Sequence, residues 1–410
     1  MFKPSVFSSL SLAALLLVVL LTTSAFSNLS LHSAAFDSRT AIRVLPSHRD
    51  GREFRSNSSR VVRLSVEVEI QETRALDPTP ILAPLNVSEG ERIAWFKANM
   101  PSFQILHPNS LTRQFDERAQ EFLDGRCEGR FFMTWIKPAR SFGEREFLSV
   151  ESLFNAHPDG CLMILSTTMD SHYGARILKP LVKGGYRVKA LAPDLAFLFE
   201  KTPAATWFKE LKKGNVDPGE IPLAQNLSNL LRLAALYKFG GVYLDTDFII
   251  LKKLSGFRNS IGAQTMDRET GNWSRVNNAI LVFDKKHPLL YKFIEEFSLT
   301  FNGNKWGHNG PYLVSRVVER VQRNPAYNFT ILPSMAFYPV DWNRIKGLFQ
   351  KPENPNMAKW VSAKLLQLRG DTYAIHLWNK QSSCLRIEEG SIMSRIISAH
   401  CLFCRNPYSS

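Results

Sequence analysis

Asp245, Thr246 and Asp247 follow a short apolar run, Val242-Tyr243-Leu244. In an extended chain the side chains of residues i and i+2 point to one face. Both carboxylates can then address a single hard divalent cation. A lone pair at this spacing is common by chance, and its ordinary meaning is a solvated turn after a strand. The setting here is rarer. Residues 223–239 read as a helix in which Leu227, Leu230, Leu231 and Ala234 fall at i, i+3, i+4 and i+7, an apolar face for a core. Gln225, Asn229 and Arg232 share a different, polar face of the same helix. Gly240-Gly241 stops it, and the strand delivers both carboxylates at its carboxyl end, where open α/β sheets bind ligands.

The elements that must carry these residues alternate along the chain. Strands are predicted at 131–135, 162–166, 187–192, 241–244, 248–251 and 279–283, and helices at 111–123, 147–156, 223–239, 288–297 and 311–321. Such alternation predicts an α/β domain with a mostly parallel sheet flanked by helices. With 410 residues, 44% of them hydrophobic, and 28 Phe, the chain has enough apolar mass for a large core. Disordered, collagen-like and disulfide-scaffold classes are excluded. The net charge is +14, but no zinc-finger spacing, RNA-binding aromatic box or long Lys/Arg run points to nucleic acid. No Gly-rich phosphate loop or catalytic Lys motif supports a phosphotransferase.

Residues 6–26 hold no charge and span about 30 Å as a helix, the thickness of a bilayer core. A cleaved signal peptide and an uncleaved anchor compete, and the aliphatic run 15–21 favours the anchor. The expected organisation is a cytosolic tail and signal-anchor over 1–27, a stem over 28–108 and a catalytic domain over 109–410. The remainder of the chain is then lumenal, in keeping with N-x-S/T sequons at Asn28, Asn57, Asn86, Asn226, Asn272 and Asn328. Asn226 sits on the helix facing the candidate site and is expected to stay bare. Five cysteines, Cys127, Cys161, Cys384, Cys401 and Cys404, permit two disulfides with one left over. One bridge is expected within the C-terminal group, and the pairing stays open.

The stretch 223–254 resembles the DXD-containing sugar-binding region of glycosyltransferases, in the branch that holds α-1,4-galactosyltransferases and α-1,4-N-acetylglucosaminyltransferases. WSRVNNAILVF (273–283), WGHNGPYLVSR (306–316), FYPVDW (337–342) and YAIHLWNK (373–380) are similar to the C-terminal region of that family, in the manner of its plant members. The resemblance runs from about 131 to 404, divided into a DXD region over 131–275 and an α-1,4-glycosyltransferase-like region over 276–404. It implies a GT-A fold, a single-pass type II protein of the Golgi membrane with its catalytic domain lumenal, and retaining transfer of a hexose or N-acetylhexosamine. The implied donor is a UDP-sugar, the acceptor a glycan or glycolipid, and the cofactor Mn²⁺ or Mg²⁺.

Roles then follow by position. Asp245 and Asp247 match the DXD motif as metal ligands, and Thr246 lies between them at the donor. Arg232 matches the family arginine that contacts the donor sugar or diphosphate. His376 falls in the segment from which GT-A enzymes supply a third metal ligand, although a lone His beside apolar residues is more often structural. Trp135 lies where distant relatives place an aromatic residue against the nucleotide base, or is a core Trp. Asn277 and Asn278 resemble sugar contacts, and His308, Asn309 and Gly310 line the start of a helix that offers free N–H groups. Many relatives carry Asp where this chain has Asn229, preceded by Ser228. That departure motivates the competing reading, a catalytically weak Golgi-anchored glycan-binding or scaffold protein on the same fold.

Overall fold

The computed structural model describes residues 81–404 apart from residue 268. The apolar segment 6–26 lies outside the described residues. Among those described, no helix is long and apolar enough to cross a membrane. The described residues form nine strands: β1 (Arg130–Thr134), β2 (Cys161–Leu165), β3 (Arg187–Leu191), β4 (Gly241–Leu244), β5 (Phe248–Ile250), β6 (Ser260–Met266), β7 (Trp273–Phe283), β8 (Thr330–Leu332) and β9 (Ala374–His376). Seven form one sheet in the order β3-β2-β1-β4-β7-β6-β8, and β5 pairs with β9 in a separate antiparallel ribbon. Within the large sheet only β7 runs against the others.

The sheet forms because its central strands are apolar on both faces, as a sheet covered by helices on each side requires. Phe132, Cys161, Met163 and Leu165 enter one core with Leu227, Leu230, Leu231 and Ala234 of the helix Leu223–Phe239. Phe131, Met133, Leu162 and Ile164 enter the other, with Phe147, Val150 and Leu153 of the helix Glu144–Ala156. Gly240 and Gly241 both have positive φ, and a Cβ on Gly241 would lie 2.4 Å from the Arg130 carbonyl oxygen. Glycine alone permits that backbone contact where the helix turns into β4.

Two differences from expectation matter for the site. First, the folded body begins before residue 109. The helix Glu89–Asn99 is closed by a Ser88/Glu91 capping box and buries Phe96 completely in the core. Arg92 pins it through a 2.7 Å ion pair to Asp217. The apolar face of Trp95, Phe96, Phe103 and Leu106, not the upstream prolines, decides how this segment folds. Second, β7 is eleven residues long, and its register against β4 ends at Leu244 opposite Ile280. Residues 273–279 therefore overshoot β4 and, paired with β6, stand as a wall beyond the carboxyl end of the sheet. This half is polar, so only 279–283 reads as a strand in sequence.

Cys127–Cys161 and Cys401–Cys404 form disulfides, and Cys384 is free and exposed. The first ties the approach to β1 to the first residue of β2.

Candidate active site

Asp245-Thr246-Asp247 occupies the turn between β4 and β5. Strand alternation therefore does not bring the carboxylates together; the turn does. Asp245 N–H still donates to the Ala279 carbonyl at 2.8 Å, extending the β4–β7 ladder by one residue and fixing where the turn starts. The Asp247 carbonyl accepts from Leu377 N–H at 2.8 Å, fixing where it ends.

Arg232 is buried behind the turn and faces Asp245. Its Nη2 lies 3.0 Å from Asp245 Oδ1, and Nη1 donates to the Asn278 carbonyl at 2.9 Å and to Asp245 Oδ2 at 3.2 Å. Nε and Nη2 return to the Ser228 carbonyl and hydroxyl, each at 3.2 Å. The guanidinium also sits 4.5 Å from the Tyr243 ring centre. Burial works against its charge, but the Asp245 carboxylate and the Tyr243 hydroxyl hold its pKa above the ordinary value. Tyr243, buried completely, donates its hydroxyl to Asp245 Oδ1 at 2.6 Å, and burial raises its own pKa. Thr134 at the end of β1 closes the network, 2.9 Å from the Tyr243 hydroxyl and 2.5 Å from that of Ser228.

His376 arrives from β9. The β5–β9 register places it opposite Phe248, and its Nε2 lies 3.3 Å from Asp247 Oδ1. Asn379 N–H donates to the other oxygen of Asp247 at 3.0 Å, and Trp378 N–H to His376 Nδ1 at 3.2 Å. Asp245, Asp247 and His376 each offer a ligand atom, all within 4.8 Å of one another. Two carboxylates and an imidazole fit a divalent cation such as Mn²⁺ or Mg²⁺. Ligation through Nε2 requires the His376 proton to sit at Nδ1, so the Trp378 bond is given up.

These three side chains sit in a cleft of about 1130 Å³. Thr246, Asn277 and Trp135 also line it. Trp135 is 4% exposed, packs edge-on against Phe142 and carries Lys137 over its ring at 5.2 Å. It is thus a core residue whose edge reaches the cleft. Asn277 donates to Gln264 and accepts from Ala279 N–H, each at 2.9 Å. Arg232, Asn229, Asn278, His308, Asn309 and Gly310 are not among the cleft-lining residues. Asn229 accepts from Asn278 Nδ2 at 2.9 Å, and a Cβ on Gly310 would stand 2.7 Å from its oxygen. Buried Asn309 donates to Asn226 at 2.9 Å and to the Asn302 carbonyl at 2.8 Å. His308 bonds the Thr300 carbonyl at 2.8 Å. These residues hold the loop against the helix. Asn226 is 3% exposed, which closes its sequon to glycans, while Asn86, Asn272 and Asn328 are exposed.

Sequence reasoning passed over Tyr243, Thr134 and the hydroxyl of Ser228. The hydroxyls of Thr134 and Tyr243 lie in apolar strand runs, where nothing marks them as partners of Asp245.

Residues 143–267 match the glycosyltransferase sugar-binding region containing the DXD motif, and residues 282–407 the α-1,4-glycosyltransferase conserved region. Lactosylceramide 4-alpha-galactosyltransferase of Mus musculus is 34% identical over 272 residues, which is 62% of this chain and 68% of that protein. The chain is a member of the α-1,4-glycosyltransferase family. An uncharacterised Arabidopsis thaliana protein is 31% identical over 69% of this chain, and the chain spans 43% of that relative's length. The human alpha-1,4-N-acetylglucosaminyltransferase is 26% identical over 45% of this chain and 51% of its own. The DXD match of the glycosyltransferase family ends just beyond β6, and the second begins at the end of β7. Asp245 and Asp247 thus fall in one matched region and His376 in the other.

Proposed function

We propose that this glycosyltransferase moves a hexose or N-acetylhexosamine, galactose or N-acetylglucosamine by kinship, from a UDP-sugar to a glycan or glycolipid acceptor. The reaction retains anomeric configuration and takes place in the Golgi lumen, with the chain held by an N-terminal anchor. One observation carries the reading: Asp245, Asp247 and His376 converge in a cleft at the carboxyl end of a mostly parallel sheet. When bound there, Mn²⁺ or Mg²⁺ neutralises charge on the departing diphosphate.

The chain's own residues supply the rest. Arg232 and Tyr243 hold Asp245 from behind, so its carboxylate is oriented before any ligand arrives. Lys137 and Lys380 line the cleft with their charges seated on the rings of Trp135 and Trp306. With Arg140 and Arg275 they make up the cationic lining of the cleft among the described residues, and they are the two lysines placed to reach a diphosphate. The carboxylates lining the cleft are Asp245, Asp247 and Glu146. Two face the cation site, and Glu146 caps the Gly143 N–H at 3.0 Å. That distribution leaves no carboxylate free as a nucleophile and favours attack by the acceptor on the face the diphosphate leaves.

The test is donor hydrolysis by the full chain in detergent across a nucleotide-sugar panel, with and without Mn²⁺. One donor consumed only with metal, and by the wild type but not Asp247→Asn, is expected. Consumption unchanged by chelation would sink the reading.

A further inference from the structure

The cleft has two halves that differ in chemistry. On the side of β1 and β2 it is lined by Trp135, Lys137 and Thr168, and on the other by the β6–β7 wall and the loop ahead of the helix Pro311–Val321. The wall contributes Gln264, Arg275 and Asn277; Arg275 and Asn277, two apart on β7, share the cleft face. The same cleft is lined by Trp306, Tyr312 and Trp342, which are 53%, 40% and 50% exposed, with Tyr312 against Arg275. Large aromatic rings left half in water inside a cleft are costly unless something covers them. Pyranose rings cover such faces well, because they present C–H groups to the aromatic plane while their hydroxyls stay wet.

The polar groups of this half contain no carboxylate. All three acidic residues lining the cleft lie at the metal site or on the helix Glu144–Ala156. A site for neutral sugars ordinarily uses carboxylates to accept hydroxyl protons. This wall offers two amides and a guanidinium instead. Arg275 is half-buried, sits 4.7 Å from the Tyr312 ring centre, and has no carboxylate within ion-pair distance among the described residues. A planar, permanently charged fork held on an aromatic face is suited to two-point recognition of a carboxylate.

Resting on the glycosyltransferase reading above, we propose that the β6–β7 half of the cleft is an acceptor subsite for an acidic oligosaccharide. Trp342 and the face of Trp306 turned away from Lys380 stack its pyranose rings, Tyr312 seats Arg275, and Arg275 pairs with the carboxylate of a uronic acid residue. Arg275 thereby selects the acceptor and takes no part in the donor chemistry.

The probe is α-1,4-trigalacturonate beside its methyl ester, which removes the charges and keeps the sugar. Binding to the full chain in detergent, with UDP and Mn²⁺ present, is followed by quenching of tryptophan fluorescence. The acid should bind at least about tenfold tighter than the ester, a preference that shrinks with added salt. Arg275→Gln should bring the two within about twofold, while Trp306→Ala weakens both forms alike. Equal binding of acid and ester by the wild type, no binding of either, or a preference that survives Arg275→Gln each overturns the proposal. Metal-dependent UDP binding, measured in the same samples, separates the two readings. If it holds while the acid preference is missing, only the acceptor subsite fails; if it is missing too, the donor site itself is misassigned.

Discussion

Removing Arg232 tests whether the site is held from behind. Its side chain is 7% exposed and that of Asp245 27%, so the pair is largely desolvated. Arg232→Met keeps much of the apolar stem but leaves the half-buried Asp245 carboxylate without its cation. Breaking one partner of a buried pair costs about 3–5 kcal/mol, against about 0–1 for an exposed pair. The lost bonds to the Asn278 and Ser228 carbonyls act in the same direction. A domain with about 5–15 kcal/mol of stability feels such a loss strongly. Arg232→Lys retains the charge but not the fork, and should lose about 1–2 kcal/mol. In the double variant Arg232→Met/Asp245→Asn no unpaired charge remains, so about 2 kcal/mol should return. Urea unfolding of the full chain in detergent, followed by circular dichroism, reads all three. No recovery in the double variant would refute the reasoning, because Arg232 would then act through packing on Tyr243 alone. A loss below about 1 kcal/mol in Arg232→Met would refute it from the other side, as the value for a solvated pair.

Other outcomes can be set beside this one. Asp247→Ala should abolish metal-dependent donor hydrolysis and also cost about 1–3 kcal/mol, since Asn379 N–H loses its acceptor; Asp247→Asn keeps an acceptor oxygen there, and should lose hydrolysis with a melting temperature near wild type. His157 accepts from Leu254 N–H at 3.0 Å, and burial, aided by the Lys253 charge, lowers its pKa to about 4. The unfolded chain then takes up the proton first, so stability is full above about pH 6.5 and falls as pH drops toward 4. With partial solvent screening the loss is up to about 2 kcal/mol, and His157→Gln should flatten the profile of urea midpoint against pH. Replacing Cys127 and Cys161 by Ala opens a loop with a sequence separation of 34 residues. The cost should be about 3–4 kcal/mol on a chain-entropy basis, measured by the same unfolding transition.

The parts of this fold that are legible in sequence are those whose burial is written in local period. The runs behind β1, β2 and β4 are apolar throughout because both of their faces are covered, and they read as strands within a residue of their bounds. The helix Leu223–Phe239 reads to the residue, its apolar stripe ending at the glycine pair. The polar first half of β7 is silent, since it runs past β4, pairs with β6 alone and has Arg275 and Asn277 turned to the cleft. Helix Glu89–Asn99 reads as stem in sequence for a related reason. Its apolar face is short, and its anchor, Arg92 to Asp217, spans 125 residues, a separation that no local window contains. Arg232 shows the same limit at the site. The sequence places it on a polar face with Gln225, which does line the cleft, but only the fold reveals that the Arg232 side chain turns to Asp245 behind it.

The two aspartates of the motif therefore do different work, and the difference comes from what each is tied to. Asp245 belongs to the sheet: its N–H continues the β4–β7 ladder, and its carboxylate is held by Arg232 and Tyr243. Asp247 belongs to the C-terminal segment: its carbonyl accepts from Leu377, one of its oxygens from Asn379, and the other faces His376. The β5–β9 ribbon thus imports a nitrogen donor from 129 positions beyond Asp247 and sets it against a carboxylate that the sheet does not hold. A cation bridging Asp245 and His376 would join the sheet to this segment, whose next residues, Trp378 to Gln381, line the cleft. Metal affinity and order in that lip are then one equilibrium, and loss of the His376 ring should cost both together.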